Sequence, residues 1–419
     1  MEQEQNKRLI RVLIITLSLV VAFVAGFFSQ CLFASKQVNL ASEIVGIMNQ
    51  VGFVYDESTG EKRPITEEEI AEALVNGLFD KHSAYYTEEE YEKVQQEDKG
   101  NKAGVGIRFF DKDNVVDKID FNSPADVSGI EVGDKIIGCV CGGQSVTITD
   151  KNTFADFVLP LQTGSEISII VERNAQQKTF TLTKAEYISA LVEYKDNQTT
   201  FLFRTENGEL VSKIEQGGID VDDSTAYIQF TNFDYGASEQ MEQALDYMKE
   251  RGKTKLILDL RNNGGGFMSE LGKVASLLIY NQGENKSLVS HAKTAKSEKN
   301  YYTSSNKFNT DITKIVVLAN QNTASASEAL IGAMLYYGDR FSKDNLIIEK
   351  NPLGTCKTYG KGIMQTTFGL VNGGALKITT GKIFWPDKTT CVQDKGIYTT
   401  EQNSVEVNGA MARAKEILA

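Results

Sequence analysis

Histidine is scarce in this sequence of 419 residues, which contains 2 His, His82 and His291. Most zinc sites and the Ser-His-Asp triad use histidine as a ligand or a base, so two histidines leave few ways to build either. No motif surrounds His82 or His291, and we interpret both as structural. The sequence therefore predicts no metal and no cofactor, and a hydrolytic site in this chain would need a base other than histidine.

Proline and cysteine are also few. The 5 Pro and 35 Gly predict a body with many tight turns and few stiff linkers. The 5 Cys are too few and too scattered for a disulfide scaffold, and Cys139 and Cys141 form a CxC pair rather than the CxxC of redox and zinc motifs. We interpret the cysteines as small buried side chains, while a bridge between Cys356 and Cys391 stays open.

Basic residues are fewer than acidic ones, since 44 Lys and Arg against 56 Asp and Glu give a net charge of −12. Proteins that bind nucleic acid usually present a basic surface, so this balance predicts no nucleic-acid partner. Hydrophobic residues make up 41% of the chain, which excludes a wholly disordered protein. At this length, two or three packed domains are expected.

One long run without charge lies near the amino terminus, between Arg11 and Lys36. A helix over the 24 residues 12–35 would span about 36 Å, which is enough to cross a bilayer. The basic residues in 1–11 predict a cytoplasmic tail, with the rest of the chain on the other side. A cleaved signal peptide is the alternative, although its apolar core would normally be shorter. We expect a single-pass protein of the cell membrane with an extracytoplasmic body.

Residues 37–98 show helical spacing and two helix starts. Thr66 and Thr87 are each followed three positions later by a glutamate, which is the pattern of a capping box. The glutamates that follow each threonine suit the first turn of a helix, where the helix dipole favours negative charge. The sequence therefore predicts an N-terminal helical region over 37–98.

Residues 99–188 change to short strands and turns. They contain the run SPADVSGIEVGDKI at 123–136, which resembles the PDZ domain, where a short helix leads into a GD turn and a strand. The resemblance implies that the glycine-rich loop Ala103–Ile107 takes the C-terminal carboxylate of a peptide. Its binding residues would be Gly104, Val105, Gly106 and Ile107. Glycine lets successive amides converge on an anion, although a simple bend in a strand is an alternative interpretation.

From 189 to 400 strands and helices alternate, which predicts an α/β body, and residues 401–419 end in a helix. Two buried strands, 256–260 and 315–319, are each followed by a polar turn. The first turn, Asn262–Gly266, is either an ordinary turn or a loop whose amides approach a ligand.

The second turn carries two serines, Ser325 and Ser327, just before a helix. A serine at this place is either a cap for the helix, with Glu328 as its partner, or a nucleophile beside free amides. The segment alone leaves both interpretations open.

A third segment, TYGKGIMQ at 358–365, places Lys361 between two glycines and Gln365 four positions later. Taken together and in this order, the segments LDLRNNGGG, TASASEAL and TYGKGIMQ resemble the carboxyl-terminal processing peptidases, which are tail-specific serine proteases. The resemblance extends over about residues 40–400. It implies a crotonase-like (ClpP/crotonase-type) α/β peptidase domain over 189–400, with an inserted PDZ domain over 99–188.

The same resemblance implies a role for five residues. Ser325 falls on the nucleophile, Lys361 on the general base and Gln365 on the residue that orients the lysine. The amides of Ala326 and Gly265 fall on the oxyanion hole. A lysine kept neutral by burial can take the proton of a serine, because desolvation disfavours its charged form. The alternative is that Lys361 is an ordinary solvated lysine of a loop.

Two features depart from the family pattern. The PD that usually follows the late GI motif is replaced by Tyr398-Thr399-Thr400 after Gly396-Ile397, which affects the expected end of a strand and not the expected chemistry. The second departure is a spacing. Ser325 and Lys361 lie 36 positions apart, which is more than is usual for the family, and the additional residues fall in 341–356. We expect an inserted hairpin or loop there.

As a whole, the resemblance implies a membrane-anchored serine endopeptidase that cleaves the C-terminal tails of extracytoplasmic proteins. Its partners would be proteins or peptides with a free C terminus, presented by the PDZ domain. One alternative is an anchored PDZ binding module without activity, which the intact Ser325, Lys361 and Gln365 argue against. The other is a dedicated signalling protease that releases a regulator by cutting one partner.

Overall fold

A computed structural model of the protein describes residues 44–48, 63, 65–99, 101–109, 113–279, 286–304, 311–351 and 353–419. The chain divides into two compact units, Met1–Tyr85 and Tyr86–Ala419. Within the described ranges, no helix has the length and apolar character needed to span a membrane. The predicted anchor at 12–35 and the tail at 1–11 lie outside the described residues.

Helices begin where the capping boxes predict them. Helix α1 covers Glu67–Leu78, and the Thr66 hydroxyl before it accepts a hydrogen bond from the Glu69 N–H at 3.2 Å. The Glu69 carboxylate in turn accepts from the Thr66 N–H at 2.9 Å, which confirms the capping box. Helix α2 (Glu88–Asp98) starts in the same way at Thr87. The prediction of helices throughout 37–98 is wrong at strand β1 (Ala84–Tyr86), whose tyrosines favour extended backbone.

The remaining elements follow in chain order. The other helices are α3 (Pro124–Ser128), α4 (Lys151–Val158), α5 (Ala237–Glu250), α6 (Met268–Leu278), α7 (Ala326–Tyr337) and α8 (Ala410–Leu418), with 3-10 turns at Lys343–Asn345 and Glu401–Asn403. The other strands are β2 (Asn101–Gly104), β3 (Ile107–Arg108), β4 (Lys118–Ile119), β5 (Lys135–Cys141), β6 (Gln144–Thr147), β7 (Glu166–Arg173), β8 (Gln176–Thr183), β9 (Ala185–Ile188), β10 (Val192–Lys195), β11 (Thr199–Glu206), β12 (Glu209–Gln216), β13 (Thr225–Phe230), β14 (Lys255–Asp259), β15 (Leu288–Thr294), β16 (Glu298–Tyr302), β17 (Lys314–Ala319), β18 (Leu346–Glu349), β19 (Ile363–Gly369), β20 (Ala375–Phe384) and β21 (Ser404–Val405).

Residues 101–188 form a module with its own apolar core, which we call the β module. Four of its strands pair in the order β6-β5-β7-β8, and β2 pairs with β9 and β3 with β4. Alternate residues of β7, among them Ile167 and Ile169, point into this core. Ser123 caps α3, and Gly129 ends it at a φ of +89°, a left-handed conformation that favours glycine. The helix, turn and strand predicted for 123–136 are thus confirmed.

The main sheet of the second unit contains eight strands in the order β12-β11-β10-β13-β14-β17-β18-β21. The strands from β13 to β21 in this order are parallel, and both faces of this part are covered. In β14, Leu256 and Leu258 pack in the core that contains α5, α6 and α7, whereas Ile257 packs with α8 on the other face. This burial on both sides explains why β14 and β17 are continuous apolar runs.

The carboxyl ends of β14 and β17 lie side by side, with Asp259 opposite Leu318 in the parallel register. The turns that follow these strands therefore meet at one edge of the sheet, which is where open α/β sheets hold their ligands. A second, antiparallel sheet contains β19, β20, β15 and β16, and its strand β19 starts two residues after Lys361.

The inserted hairpin or loop expected at 341–356 is only partly present. Leu346–Glu349 is the buried strand β18, which pairs with β17 in the main sheet, because this short run is apolar enough to be enclosed on both faces. Residues 350, 351 and 353–357, which follow this strand, belong to no helix or strand. The C-terminal helix predicted within 401–419 is α8, which packs its Ala410, Ala414 and Leu418 on the main sheet.

Candidate active site

Ser325 lies in the turn between β17 and α7, immediately before the first residue of the helix. Its φ is +57° and its ψ is −114°, a backbone conformation that non-glycine residues rarely adopt. Such strain persists where the surrounding structure fixes it, and it is concentrated at functional sites. The Ser325 side chain is half-buried, so it is held in place and still reachable from solvent.

Ser327, the other serine of the segment TASASEAL, is the second residue of α7 and has a structural role. It is fully buried, and its hydroxyl donates to the Asn263 carbonyl oxygen at 3.0 Å. The Ala324 N–H donates to the same oxygen at 3.0 Å, and the Thr323 hydroxyl donates to the Leu260 carbonyl at 2.8 Å. These bonds join the turn after β17 to the turn after β14.

The glycine turn, residues 262–266, approaches Ser325 more closely than any side chain would allow. A methyl group on Gly265 would lie 2.7 Å from the Ser325 Cβ and 2.8 Å from the Ala326 nitrogen, and the φ of Gly265 is +100°. Glycine is therefore required at position 265 on both steric and conformational grounds. The predicted neighbourhood of Gly265, Ser325 and Ala326 is present.

The two amides predicted for the oxyanion hole differ in their hydrogen bonds. No group in the described part of the chain accepts from the N–H of Ala326, which sits at the amino end of α7, where the first amides of a helix are free. The N–H of Gly265 donates to the Asn263 side-chain oxygen at 3.0 Å. The Asn263 side chain is fixed in turn, since its nitrogen donates to the Phe230 carbonyl at 2.8 Å.

Glu328 connects the segment of Ser325 with the segment of Lys361. One of its carboxylate oxygens, Oε2, accepts from the Ser325 N–H at 3.0 Å and from the Lys361 N–H at 2.8 Å. The other oxygen accepts from the Gly360 N–H at 2.8 Å and from the Thr358 hydroxyl at 2.5 Å. A single oxygen atom therefore bridges the predicted nucleophile and the predicted base.

The Glu328 side chain has no exposure to solvent. Burial raises the pKa of its carboxyl above the ordinary value, against the lowering effect of the four hydrogen bonds that it accepts. A buried carboxylate that is left unpaired is costly, so the four donors must stay close to it. Glu328 thereby fixes the position of the backbone at Ser325 and at Lys361.

Further contacts hold the Lys361 segment. The Tyr359 N–H donates to the Thr323 carbonyl at 3.0 Å, and the Gly362 N–H donates to the Gln393 side chain at 2.8 Å. Gly360 has a φ of +88°, and a methyl group there would meet the backbone of Gly396 at 2.8 Å. The Lys361 side chain that this backbone carries is half-buried.

Gln365, predicted to orient the lysine, lies in β19 beside β20. Its side-chain nitrogen donates to the Thr379 hydroxyl at 2.9 Å, which fixes the direction of the amide. A bulge between Met364 and Gln365 changes the register at this point. Bulges of this kind are common next to active sites, where they redirect a side chain.

Asp259 and Arg261, at the start of the glycine turn, form a buried ion network. The Arg261 guanidinium bonds to both Asp259 carboxylate oxygens and, at 2.8 Å, to Glu349. The Tyr227 hydroxyl donates to Asp259 at 2.8 Å. This network holds Asp259 and Arg261 in place at the start of the glycine turn.

The histidines and cysteines have local partners. His291 is buried in β15, with its Nδ1 2.8 Å from the Asn300 side-chain oxygen, and the His82 N–H donates to Asp80 at 2.9 Å. Cys356 and Cys391 are free thiols that approach different carbonyl groups, so the bridge between them is absent. In the described ranges, no cluster of histidine, cysteine, aspartate and glutamate is arranged to hold a metal ion.

The loop predicted to bind a peptide carboxylate contains two glycines with positive φ, Gly104 and Gly106. The Val105 and Gly106 carbonyls accept from Ala125 and Asp120, whereas no acceptor for the Val105 and Gly106 amides is present in the described segments. A methyl group on Gly106 would lie 2.1 Å from the Ser123 Cβ, so glycine is required there for close packing as well.

The sequence alone indicates Glu328 as a helix cap and gives no indication of its bonds to Gly360 and Lys361. Thr358 and Asn263 are also missed as supports of the site. The available signal is a glutamate three positions after a serine, which is the ordinary pattern of a capping box. Nothing in that pattern reveals a partner more than 30 residues away.

Comparisons with known proteins agree with the predicted resemblance. Residues 224–402 match the model of peptidase family S41. The "Probable CtpA-like serine protease" of Staphylococcus saprophyticus is 26% identical over 347 residues, which cover 79% of this chain and 60% of the relative. The protein of the same name from Staphylococcus haemolyticus is 26% identical over 340 residues, which cover 78% of this chain and 59% of the relative.

Among solved structures, the photosystem II D1 C-terminal processing protease is similar, with a TM-score of 0.51 and 18% identity. The match covers 91% of this chain and 97% of that protein, and it shows a shared fold. The resemblance to carboxyl-terminal processing peptidases and the α/β fold are thereby confirmed. The chain spans about 60% of the length of the curated relatives that it matches.

Proposed function

We propose that this chain, whose residues 224–402 match peptidase family S41, is a serine endopeptidase in which Ser325 is the nucleophile and Lys361 the base. The observation that carries the proposal is the shared Glu328 oxygen, which joins the Ser325 and Lys361 amides at 3.0 and 2.8 Å. The close approach of Gly265 to Ser325 and Ala326 supports it. No histidine takes part.

The reaction has two steps, which are the formation of an ester with Ser325 and the hydrolysis of that ester. Lys361 Nζ takes the proton of the Ser325 hydroxyl while the oxygen attacks the peptide carbonyl carbon, and the protonated lysine then gives that proton to the leaving amine. Water then attacks the resulting ester while Lys361 takes one of its protons, and the protonated lysine returns that proton to the Ser325 oxygen as the bond between this oxygen and the acyl carbon breaks. The new carboxyl terminus leaves, and Ser325 and neutral Lys361 are restored. Gln365 orients the lysine.

The negative oxygen that develops in each step needs hydrogen-bond donors already in place. The Ala326 N–H is one donor, favoured by its position at the amino end of α7. The glycine turn supplies the second, with Gly265 as its closest residue to Ser325. For the Gly265 N–H to serve, its bond with the Asn263 side chain has to be shared with the substrate oxygen.

The β module is the second part of the proposal, as a PDZ domain that takes the C-terminal tail of the substrate. The Val105 and Gly106 amides and the two positive-φ glycines support a carboxylate-binding loop at 103–107. A tail bound there adds as a strand beside the module and is presented to Ser325.

The third part concerns location, with residues 12–35 as a single membrane span and the catalytic body on the extracytoplasmic side. The uncharged length of this segment and the basic residues before it support the proposal. Fractionation of cells that express the full chain and a variant without residues 1–36 provides the test. The full chain should remain with membranes after a high-salt wash, and its recovery in the soluble fraction would contradict the span.

The activity is tested by incubating the wild type with an unfolded polypeptide that ends in a free apolar C terminus. Mass spectrometry should show internal cleavage near that end, and Ser325→Ala should abolish it while the melting temperature stays unchanged. If both proteins leave the polypeptide intact while binding it, the chain is a binding module and the proposed activity is wrong.

A further inference from the structure

The glycine turn is held from two sides by one short segment of the β module. The Asn262 side-chain nitrogen donates to the Asp117 carbonyl at 3.2 Å. The Lys118 ammonium donates to the Thr231 carbonyl at 2.9 Å. Asp117 directly precedes β4, and Lys118 is the first residue of that strand. A single segment of the module therefore contacts both Asn262, in the glycine turn, and Thr231.

The Lys118 contact acts on the turn through Phe233, two residues after Thr231. The Phe233 N–H donates to the Gly265 carbonyl at 2.8 Å, and its own carbonyl accepts from the Phe267 N–H at 2.8 Å. A methyl group on Gly266 would lie 2.5 Å from the Phe233 oxygen, so the two backbones are in close contact. The segment that carries Thr231 and Phe233 is therefore in direct backbone contact with Gly265 and Gly266.

The Asn262 contact acts on the turn directly and also reaches the serine turn. Asn262 has a φ of +60°, and its N–H donates to the Asn320 side-chain oxygen at 3.0 Å. Its own side-chain oxygen accepts from the Asn320 and Asn322 side-chain nitrogens at 2.8 and 3.0 Å. One asparagine side chain thus joins the glycine turn, the turn that leads to Ser325, and the β module.

The same segment of the module adjoins the glycine-rich loop 103–107. Ile107 lies opposite Ile119 in the β3–β4 pair, and the Asp120 N–H donates to the Gly106 carbonyl at 2.9 Å. Lys118 lies in β4 and Asp120 directly follows this strand, so one short segment contacts both the loop 103–107 and the Thr231 carbonyl.

We infer that Asn262 is a positioning residue for the oxyanion hole, and that Asp117 and Lys118 make the β module part of the catalytic support rather than solely a tether for substrates. This inference rests on the proposed function. An amide donor stabilises the transition state only if it is held in place beforehand. Here the β module makes one hydrogen bond to the turn itself, at Asn262, and one to Thr231, in the segment that contacts the turn.

The test uses a short peptide substrate with an amidated C terminus, which the loop 103–107 has no carboxylate to bind. Asn262→Asp keeps the oxygen that faces Asn320 and Asn322 but turns a second oxygen toward the Asp117 carbonyl. Lys118→Met removes the bond to Thr231 with little change in volume. In the full chain each variant should lower kcat for this peptide about tenfold, with KM nearly unchanged.

Asn207→Asp is the matched control, because Asn207 also has a left-handed backbone, with a φ of +52°, but lies in the exposed turn between β11 and β12. It should leave kcat and KM at wild-type values. The double variant Asn262→Asp, Lys118→Met should lose less than the product of the two single losses, since both bonds hold one turn.

If both single variants cleave the amidated peptide at the wild-type rate while Ser325→Ala is inactive, the β module acts only as a tether and this inference is wrong. If Ser325→Ala is as active as the wild type, the proposed function itself fails. Melting temperatures of all variants establish whether a loss comes from unfolding rather than from misplacement of the turn.

Discussion

At the scale of single residues, the site depends on a buried carboxylate that takes no part in bond breaking. Glu328 accepts hydrogen bonds from the Ser325, Gly360 and Lys361 amides and from the Thr358 hydroxyl. Its four acceptor sites are all occupied. The position of Lys361 relative to Ser325 is therefore fixed through the backbone.

Replacing Glu328 by Gln should impair the reaction more than it impairs the fold. A glutamine amide would turn an NH2 group toward two of the four donors, which leaves them without acceptors and moves the two segments apart. We expect kcat to fall about 100-fold and the free energy of unfolding to fall by about 1–3 kcal/mol. Peptide cleavage and urea unfolding measure the two effects.

Glu90→Gln provides the matched control. Like Glu328, Glu90 is the third residue of its helix and lies three positions after the hydroxyl residue that precedes the helix, here Thr87, but it lies at the exposed start of α2. It should change neither activity nor stability by a measurable amount. Equal effects of Glu90→Gln and Glu328→Gln would mean that Glu328 is merely a helix cap.

At the scale of elements, the helix that follows Ser325 is tied to the loop of Lys361 by close packing. Gly332 lies in the middle of α7, and a methyl group there would be 2.3 Å from the Trp385 indole. Trp385 follows β20 and precedes the segment that holds Gly360 and Gly362 through Asp394 and Gln393. The contact between helix and indole thus fixes the loop of the base.

Gly332→Ala should therefore be destabilising although alanine favours helices. Crowding against Trp385 should cost about 1–3 kcal/mol and lower the activity. Gly77→Ala in α1 is the control, because a methyl group there has open space, and it should raise stability by about 0.5–1 kcal/mol. Thermal unfolding of both variants measures these changes in stability. A Gly332→Ala protein at least as stable as the wild type would refute the packing argument.

The turn between β10 and β11 gives the sheet a dependence on pH. Burial acts to raise the pKa of Asp196, but hydrogen bonds from Arg251 and from the Gln198 and Thr199 amides outweigh it and lower the pKa from 3.8 to about 2. The unfolded chain therefore binds more protons between these values, so the stabilisation is present above pH 3.8 and is lost as pH falls toward 2.

Asp196→Asn should lower the free energy of unfolding by about 2 kcal/mol near neutral pH and by much less near pH 2. The difference arises because the wild type loses its own ion pair with Arg251 as Asp196 takes up a proton. Asp246→Asn, on the exposed face of α5, should show no such dependence. An equal loss for Asp196→Asn at both pH values would exclude the ion pair as its cause.

At the scale of the whole molecule, the proposed function assigns recognition of the substrate's C terminus to the β module and cleavage to the peptidase body. If the loop 103–107 takes a carboxylate, the Ser325→Ala protein should bind a tail peptide with a free C terminus and should lose most of that affinity when the terminus is amidated. Calorimetry with the full chain measures both affinities. Equal affinities for the acid and the amide would leave general strand addition as the only binding mode.

The sequence predicts those structural features that depend on contacts between residues close together in the chain. The helix cap at Thr66 and the strand predicted at 256–260 can be read from the sequence, because a cap and an apolar run depend on residues that are close together in the chain. The segments of Ser325 and Lys361 were found through the family resemblance, since their spacing alone leaves a cap and a loop lysine as alternatives. A short apolar run such as β18 has too few residues to distinguish a core strand from an insertion.

The contacts that the sequence did not predict join residues far apart in the chain. Glu328 meets Lys361 across 33 positions, and Asn262 meets Asp117 across 145 positions. No local pattern encodes such pairs, because they arise only when the sheet brings its strand ends together. Gly265 is an intermediate case. The glycine turn by itself left an ordinary turn and a ligand-binding loop as alternatives, the family resemblance implied a place in the oxyanion hole, and the fold shows that Gly265 lies against Ser325.

The most direct test of the account is the rate of cleavage of one unfolded tail peptide by Ser325→Ala, Lys361→Ala and the double variant, with His291→Ala as a control. If Ser325 and Lys361 act as one unit, each single variant should lose as much kcat as the double variant, while His291→Ala and added EDTA leave the rate unchanged. A Lys361→Ala protein that retains most of the wild-type kcat would contradict the account.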